Sequence, residues 1–297
     1  MRLSTCILPV HAPGEARRRW REAEDLGFHA GYTYDHLNWR EPFRDGTWYE
    51  ALLTLSLAAS VTSELRLGTL VTTPNFRTPV TLAKELVTLD AICAGRLTLG
   101  LGAGTDGYDA AILGTPALTP RQRHDRFEEF TRHLDVLLTT PSATLNGAHY
   151  RAVEARTIPA CVQAPRVPFA VAATGPRGLR LAAELGQAWV TTGDPATFEG
   201  GTPDISRAAV RAQVGRLEEA CDAVGRDPGA IERILLTGFL PEDTTASPAA
   251  FGEAAAAYAE VGITEIVVHA PIPGTLFALE EDVYAGIAAL APELARL

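Results

Sequence analysis

Lysine is almost missing from this 297-residue chain: Lys84 stands alone, and the other 25 of its 26 basic residues are arginines. Against 36 acidic residues they leave a formal net charge of −10. A chain this acidic has no surplus of cations to displace counterions from a nucleic acid, which argues against that partner. Long apolar runs are missing as well. No stretch of 18 apolar residues occurs, so no membrane-spanning helix is expected. Cysteine is sparse: Cys6, Cys93, Cys161 and Cys221 lie far apart, with no C-x-x-C pair. That spacing points away from a zinc knuckle or disulfide scaffold and toward a reducing cytoplasm. The opening MRLSTCILPVHAPGEARRRW lacks the order of a secretion signal, because its charges follow its apolar run. No H-E-x-x-H and no His/Asp/Glu group at ligand spacing is present, so no metal site is expected.

What is present is ordinary soluble composition, with 46% hydrophobic and 21% charged residues. A compact chain of this size buries ~75% of its unfolded surface. Short β-like runs alternate with longer helical patterns from end to end. Strands are expected at 3–10, 30–34, 65–73, 96–101, 168–173, 188–192, 231–239 and 265–269. Helices are expected at 14–26, 48–60, 79–92, 120–138, 177–185, 207–224, 248–261 and 275–290. In the first helix, Ala16, Trp20 and Ala23 recur at helical spacing before the stop at Gly27. Eight βα units in series, joined by short connections, imply parallel strands and right-handed crossovers. They close naturally into a (β/α)8 TIM barrel, with an open doubly wound sheet as the alternative. Asn146-Gly147 between β-like flanks at 144–153 suggests a type I′ hairpin inserted between the fourth helix and the fifth strand. The Gly- and Pro-rich stretch 195–205 reads as a loop. No domain boundary is drawn, so residues 1–297 are read as one domain.

In a barrel of this kind, chemistry belongs at the C-terminal ends of the strands. That rule selects His11, the pair Asp35-His36, the stretch from Thr72 to Asn75, Gly102 and Gly104, Thr174-Gly175-Pro176, Thr191-Thr192, Gly238 and His269. Asp35-His36 is the sharpest of these. An imidazole at a barrel mouth can exchange a proton near neutral pH, and an adjacent carboxylate can fix its tautomer. The competing reading is a buried polar pair capping a strand. His11 and His269 carry a stronger structural reading than a functional one. The Thr174-Gly175-Pro176 turn leads into a helix, whose free N–H groups suit a phosphate. LGLGAG at 99–104 lacks the spacing of a dinucleotide loop, although its glycines permit a flat ring to approach the backbone. Trp39 and Trp48 flank a polar loop and would either wall a pocket or pin that loop.

Taken in order, EDLGF and YTYDHLNW, LRLGTLVTTPNFRTPVTLAKELVTLDAICAGRLTLGLGAG, RFEEFTRHLDVLL and VPFAVAATGPRGLRLAAELGQAWVT carry a resemblance. They resemble the bacterial luciferase-like superfamily of flavin and deazaflavin oxidoreductases, over roughly residues 1–192 with weaker similarity beyond. The resemblance implies a (β/α)8 barrel and is strongest to the branch that uses the deazaflavin coenzyme F420, with FMN and monooxygenation as the alternative.

It further implies that Asp35 and His36 lie by the deazaflavin ring, and that a non-proline cis peptide at Leu70–Val71 backs it. Gly102, Gly104, Ala173, Thr174, Gly175, Pro176, Thr191 and Thr192 would hold the cofactor. His11, Trp39, Asn75, Asp106 and His269 would border the substrate. The implied protein is a cytoplasmic homodimer acting on a small molecule or modified peptide, with His36 as acid/base and Asp35 positioning it. One departure concerns a sugar-phosphate dehydrogenase of that branch, which carries a catalytic Glu after the strand-four glycines. This chain has Thr105 and Asp106 there, leaving Asp106 or Asp109 as the replacement acid. The lysines that would bind the substrate phosphate have no counterpart, which argues against glucose 6-phosphate.

Overall fold

The computed structural model describes residues 1–105, 107, 109–198 and 200–297; the candidate Asp106 lies outside the described residues. Strand β1 (Arg2–Cys6) pairs in parallel with β2 (Ala30–Thr33) and with β10 (Glu265–His269). β10 pairs with β9 (Glu232–Leu236), which pairs with β8 (Ala188–Thr191). β3 (Arg66–Thr72) pairs with β4 (Leu97–Leu101), and β4 with β7 (Phe169–Ala172). The eight strands form a closed barrel in the order β1-β10-β9-β8-β7-β4-β3-β2, the (β/α)8 architecture expected from the alternation of elements.

The chain divides into two compact units. The first comprises Met1–Leu8, Arg19–Tyr32 and Ala173–Leu297. Its core is built on Trp20, Trp189, Phe251 and Tyr258, all fully buried. Here Glu265, at the start of β10, is buried; its Oε1 accepts from Ser4 (2.8 Å) and Tyr32 (2.9 Å). Burial pushes its carboxyl above the ordinary range. Its place at the N-terminal end of a barrel strand marks it as a structural group.

The first unit also holds α6 (Pro176–Leu185), α7 (Pro195–Phe198), α8 (Pro203–Ala223), α9 (Pro248–Glu260), α10 (Glu281–Ala288) and α11 (Ala291–Leu294). α8 starts earlier than expected, because Thr202 caps it by accepting from Ile205 N and Pro203 occupies the first turn, where a missing N–H costs nothing. The expected loop at 195–205 is thus partly helical. The expected helix 275–290 is instead α10, preceded by a turn in which the Thr275 hydroxyl donates to Ile272 O and accepts from Phe277 N. Such side-chain bonds compete with helix propagation. β9 likewise ends before the expected 239. The chain turns there into a short 3-10 segment at Thr237–Phe239, closed by Leu240 N donating to Thr237 O at 3.1 Å, and a Cβ on Gly238 would come within 2.6 Å of the His269 ring.

The second unit comprises Pro9–Arg18 and Thr33–Ala172. It contains the first turns of α1 (Pro13–Asp25), all of α2 (Ala51–Ala59), α3 (Pro79–Ile92), α4 (Asp109–Ile112) and α5 (Pro120–Thr139), and the hairpin β5 (Ser142–Asn146) and β6 (Arg151–Arg156). Glu50 caps α2 by accepting from Leu53 N (2.7 Å). Thr119 and Gln122 form a reciprocal capping box on α5. The hairpin lies where the sequence puts it, but its turn is different. Asn146 pairs with Arg151, so the connection is the four residues 147–150 and not a two-residue Asn-Gly turn. Glu129 of α5 organises it by accepting the N–H groups of Ala148, His149 and Tyr150 at 2.7–2.9 Å. A turn that another element supplies with acceptors has no need of the local Asn-Gly geometry.

Candidate active site

Within the second unit, Asp35 follows β2 and is wholly buried. Its Oδ1 accepts from an Arg77 terminal nitrogen (2.7 Å), and its Oδ2 accepts from Arg77 Nε (3.1 Å) and from the Thr72 hydroxyl (2.7 Å). Arg77 also binds Glu50 and lies 3.5 Å from Glu85, while its guanidinium stacks on Phe76. Burial pushes the Asp35 carboxyl above its ordinary range, opposed by Arg77 and Thr72. For Arg77 burial works against the charge, yet the bonds to Asp35 and Glu50 outweigh it and raise the pKa. The expected positioning of His36 by Asp35 is therefore corrected. Side chains that are neighbours along an extended segment point to opposite sides, and Asp35 spends its lone pairs on Arg77 and Thr72.

His36 takes its carboxylate from elsewhere. Its Nδ1 lies 2.7 Å from Asp109 Oδ2, while Asp109 Oδ1 accepts from Leu37 N at 2.8 Å. Asp109 is buried and heads α4, whereas the His36 side chain keeps 24% of its surface exposed. A carboxylate facing Nδ1 makes that nitrogen the donor, so Nε2 is left with the lone pair. The backbone around His36 is pinned by Trp48, whose Nε1 donates to His36 O (2.8 Å). Trp39 is itself 7% exposed and packs edge-on to Tyr34, against Phe43 and Trp48, and parallel to the imidazole at 6.5 Å. The two tryptophans flanking the polar loop thus form one aromatic cluster that carries the histidine.

The glycines in and after β4 are explained by the strand beside them. The Leu70–Val71 peptide is cis, as the family resemblance implies, and the β3–β4 register shifts between Thr69 and Thr72. A Cβ at Gly100 would meet Thr69 O at 2.0 Å, and one at Gly102 would meet Val71 Cγ2 at 2.6 Å. Gly104 has φ +73°, and a Cβ there would touch Asn75 Nδ2 at 2.7 Å. The irregular third strand therefore demands small residues on the fourth. Asn75, nearly buried, donates to Thr105 O (2.9 Å) and accepts from Arg126 (2.5 Å). Burial lowers the Arg126 pKa, and no carboxylate partners it among the described residues. His11 follows β1, 3.9 Å from Glu15 in α1.

Arg77, Glu50 and Arg126 escaped the reading of the sequence. In a chain whose basic residues are nearly all arginine, one more arginine carries no signal. Arg77 is also 42 residues from its partner Asp35. A visible clue was the position of Arg77 just beyond the third strand end.

In the first unit, Thr174, Gly175 and Pro176 are exposed and open α6. Gly175 is its N-cap with no side-chain hydrogen bond, and the space where its Cβ would stand is open. Ala173 O accepts from the buried Trp189 indole (2.7 Å). Thr191 is turned inward: its hydroxyl pairs with Gln213 (2.6 Å) and accepts from Gly193 N (3.0 Å), which makes it a loop anchor, while Thr192 next to it is part-exposed. His269 ends β10, stacked on Phe277 at 3.8 Å. Burial lowers its pKa to about 3, so it is neutral. Among the described residues no group of His, Cys, Asp and Glu is arranged to hold a metal ion, and no helix is long and apolar enough to cross a membrane.

Comparison with known proteins adds four findings. The luciferase-like monooxygenase family matches residues 1–261. The chain is similar to the F420-dependent glucose-6-phosphate dehydrogenase of Beutenbergia cavernae, 32% identical over 292 residues, covering 84% of this chain and 85% of that protein. By structure it is similar to the coenzyme F420 dependent tetrahydromethanopterin reductase of Methanopyrus kandleri, with TM-score 0.77 at 19% identity, covering 100% of this chain and 99% of that one. A monooxygenase from Streptomyces bottropensis aligns as well, with TM-score 0.76 at 20% identity over 100% and 99% of the two chains. At such identities the two structures speak to the fold.

Proposed function

This chain belongs to the luciferase-like monooxygenase family, and from that premise we propose that it is a coenzyme F420-dependent oxidoreductase acting on a small organic molecule, working as a reductase. The observation that carries the proposal is the His36–Asp109 pair, at 2.7 Å, with the imidazole part-exposed. Bound F420 would supply the hydride. The residues here fit such a guest. The exposed turn at Thr174, Gly175 and Pro176 leaves backbone N–H groups without a side-chain cap, suited to a phosphate. Taken by itself, the second unit has in Leu70, Val71, Gly102 and Gly104 a segment suited to close backbone approach by a ring, and in Arg126 a cation.

His36 is the proton donor and acceptor in this reading. Asp109 fixes Nδ1 as the internal donor, so Nε2 is the atom that exchanges a proton with the substrate atom that gains charge. Asp35 acts through the backbone, by locking the end of β2 to Arg77. The net charge of −10 supports a reading without nucleic acid, and family kinship supports a cytoplasmic homodimer.

The test is parallel titration of the purified protein with F420, by quenching of its fluorescence, and with FMN. Tight F420 binding with weak FMN binding is expected. Preferential FMN binding would overturn the proposal in favour of a flavin monooxygenase, and binding of neither would remove the enzyme reading.

A further inference from the structure

A cavity of about 250 Å³ opens in the first unit, bordered by residues that follow β9 and β10. It lies at the C-terminal ends of two parallel barrel strands, where such folds place their ligands. Its walls combine two kinds of surface. Phe198, Leu276 and Phe277 are apolar, and the neutral His269 ring, stacked on Phe277, also lines the cavity. Glu242, Asp243 and Thr244 form the polar side.

The Glu242 carboxylate is held in place. Its Oε1 accepts from Tyr258 OH (3.1 Å), which in turn lies 2.9 Å from the Ser206 hydroxyl. Its Oε2 is buried and has no hydrogen-bond partner. Thr244 is 5% exposed, and its hydroxyl makes no hydrogen bond among the described residues. None of the described residues lining the cavity is lysine or arginine. An unpartnered buried carboxylate oxygen is costly, and here it borders a void whose described lining holds a second carboxylate, Asp243, and no cation.

We infer that this cavity binds a compact organic amine in its cationic form, with Glu242 and Thr244 receiving the ammonium end and the phenylalanines receiving an apolar ring. A phosphorylated sugar is the wrong guest, since its dianion would face two carboxylates. The volume falls below the ~300–1,000 Å³ of pockets for drug-sized molecules, which limits the guest to about one ring. As a statement about substrate, the inference rests on the oxidoreductase reading above.

The experiment is isothermal titration calorimetry of the full chain with 2-phenylethylamine, against 2-phenylethanol, 3-phenylpropionate and glucose 6-phosphate. The amine should saturate, with the other three about tenfold weaker or undetectable. Glu242→Gln should weaken the amine by about tenfold or more, as expected for loss of a charged hydrogen-bond partner. Thr244→Val should weaken it by a few-fold, and this variant carries the test if Glu242→Gln does not fold. No amine binding, equal binding of any comparator, or variants that bind as the parent does would each overturn the inference. F420 fluorescence quenching on the same samples separates the two claims. Retained F420 binding without amine binding sinks the cavity assignment alone. Amine binding without F420 binding sinks the F420-dependent reading and leaves the cavity a ligand site.

Discussion

Asp35 and Asp109 are both buried carboxylates of the same compact unit, and each ends in a short bond to a nitrogen base. Asp35 meets Arg77, which is 11% exposed and surrounded by Glu50 and Glu85. Asp109 meets His36, which keeps about a quarter of its side chain in the open. The first cluster is closed: the donors facing Asp35 come from inside the protein. The second is half open, because the imidazole has one nitrogen committed and one to offer. A guanidinium does not exchange its proton under ordinary conditions, whereas an imidazole does. On the proposed reading, the difference between a fastener and a catalyst is set by the partner base and its exposure, since the two acids are alike.

The comparison breaks most visibly at the imidazole. His36→Ala should lower turnover by about 10²–10⁴-fold, the usual worth of a positioned acid/base, with a smaller loss of thermal stability than Arg77→Leu, because buried Asp109 keeps its bond from Leu37 N. Steady-state kinetics and a melting curve on the same preparation check both halves. Parental turnover would remove His36 from the chemistry.

The closed cluster should answer in the opposite way. Arg77→Leu leaves Asp35 buried without its cation, a change that costs about 3–5 kcal/mol. The loss should appear in denaturant unfolding of the variant. Under conditions where the folded fraction is still high, F420 affinity should stay within a few-fold of the parent. A variant as stable as the parent would show that Asp35 is not held as an ion pair.

How much of this contrast was visible in the sequence follows from the range of each interaction. The barrel was legible because eight strand and helix patterns alternate, and local patterning decides such elements. His36 was legible because a strand end followed by a histidine is a local signal. Its partner was not, since Asp35 is adjacent in the chain while Asp109 is 73 residues away; Asp109 stood only as one of two acids after the fourth strand. The glycines of β4 were legible as glycines, but their cause, the Thr69 and Val71 atoms of the neighbouring strand, is tertiary. The hairpin at β5 and β6 was found and its turn mistaken, for the same reason: Glu129 acts on it from another element. Of the cavity at Glu242, the strand ends marked Gly238 and His269, while Glu242 itself left no local signal.

The smallest of the three effects sharpens the comparison furthest, because it changes one atom of the orienting acid. Asp109 accepts two hydrogen bonds through different oxygens, from Leu37 N and from His36 Nδ1. Asparagine has a single carbonyl oxygen, so Asp109→Asn must release one of these donors or share its oxygen between them. Losing a hydrogen bond to a charged group costs about 1.5–3 kcal/mol, so turnover should fall roughly ten- to a hundredfold, less than for His36→Ala. The double variant with His36→Ala should fall no further than His36→Ala alone, because Asp109 acts only through the ring it orients. Additive losses would mean that Asp109 has a role of its own, and the contrast with Asp35 would then rest on something other than the imidazole.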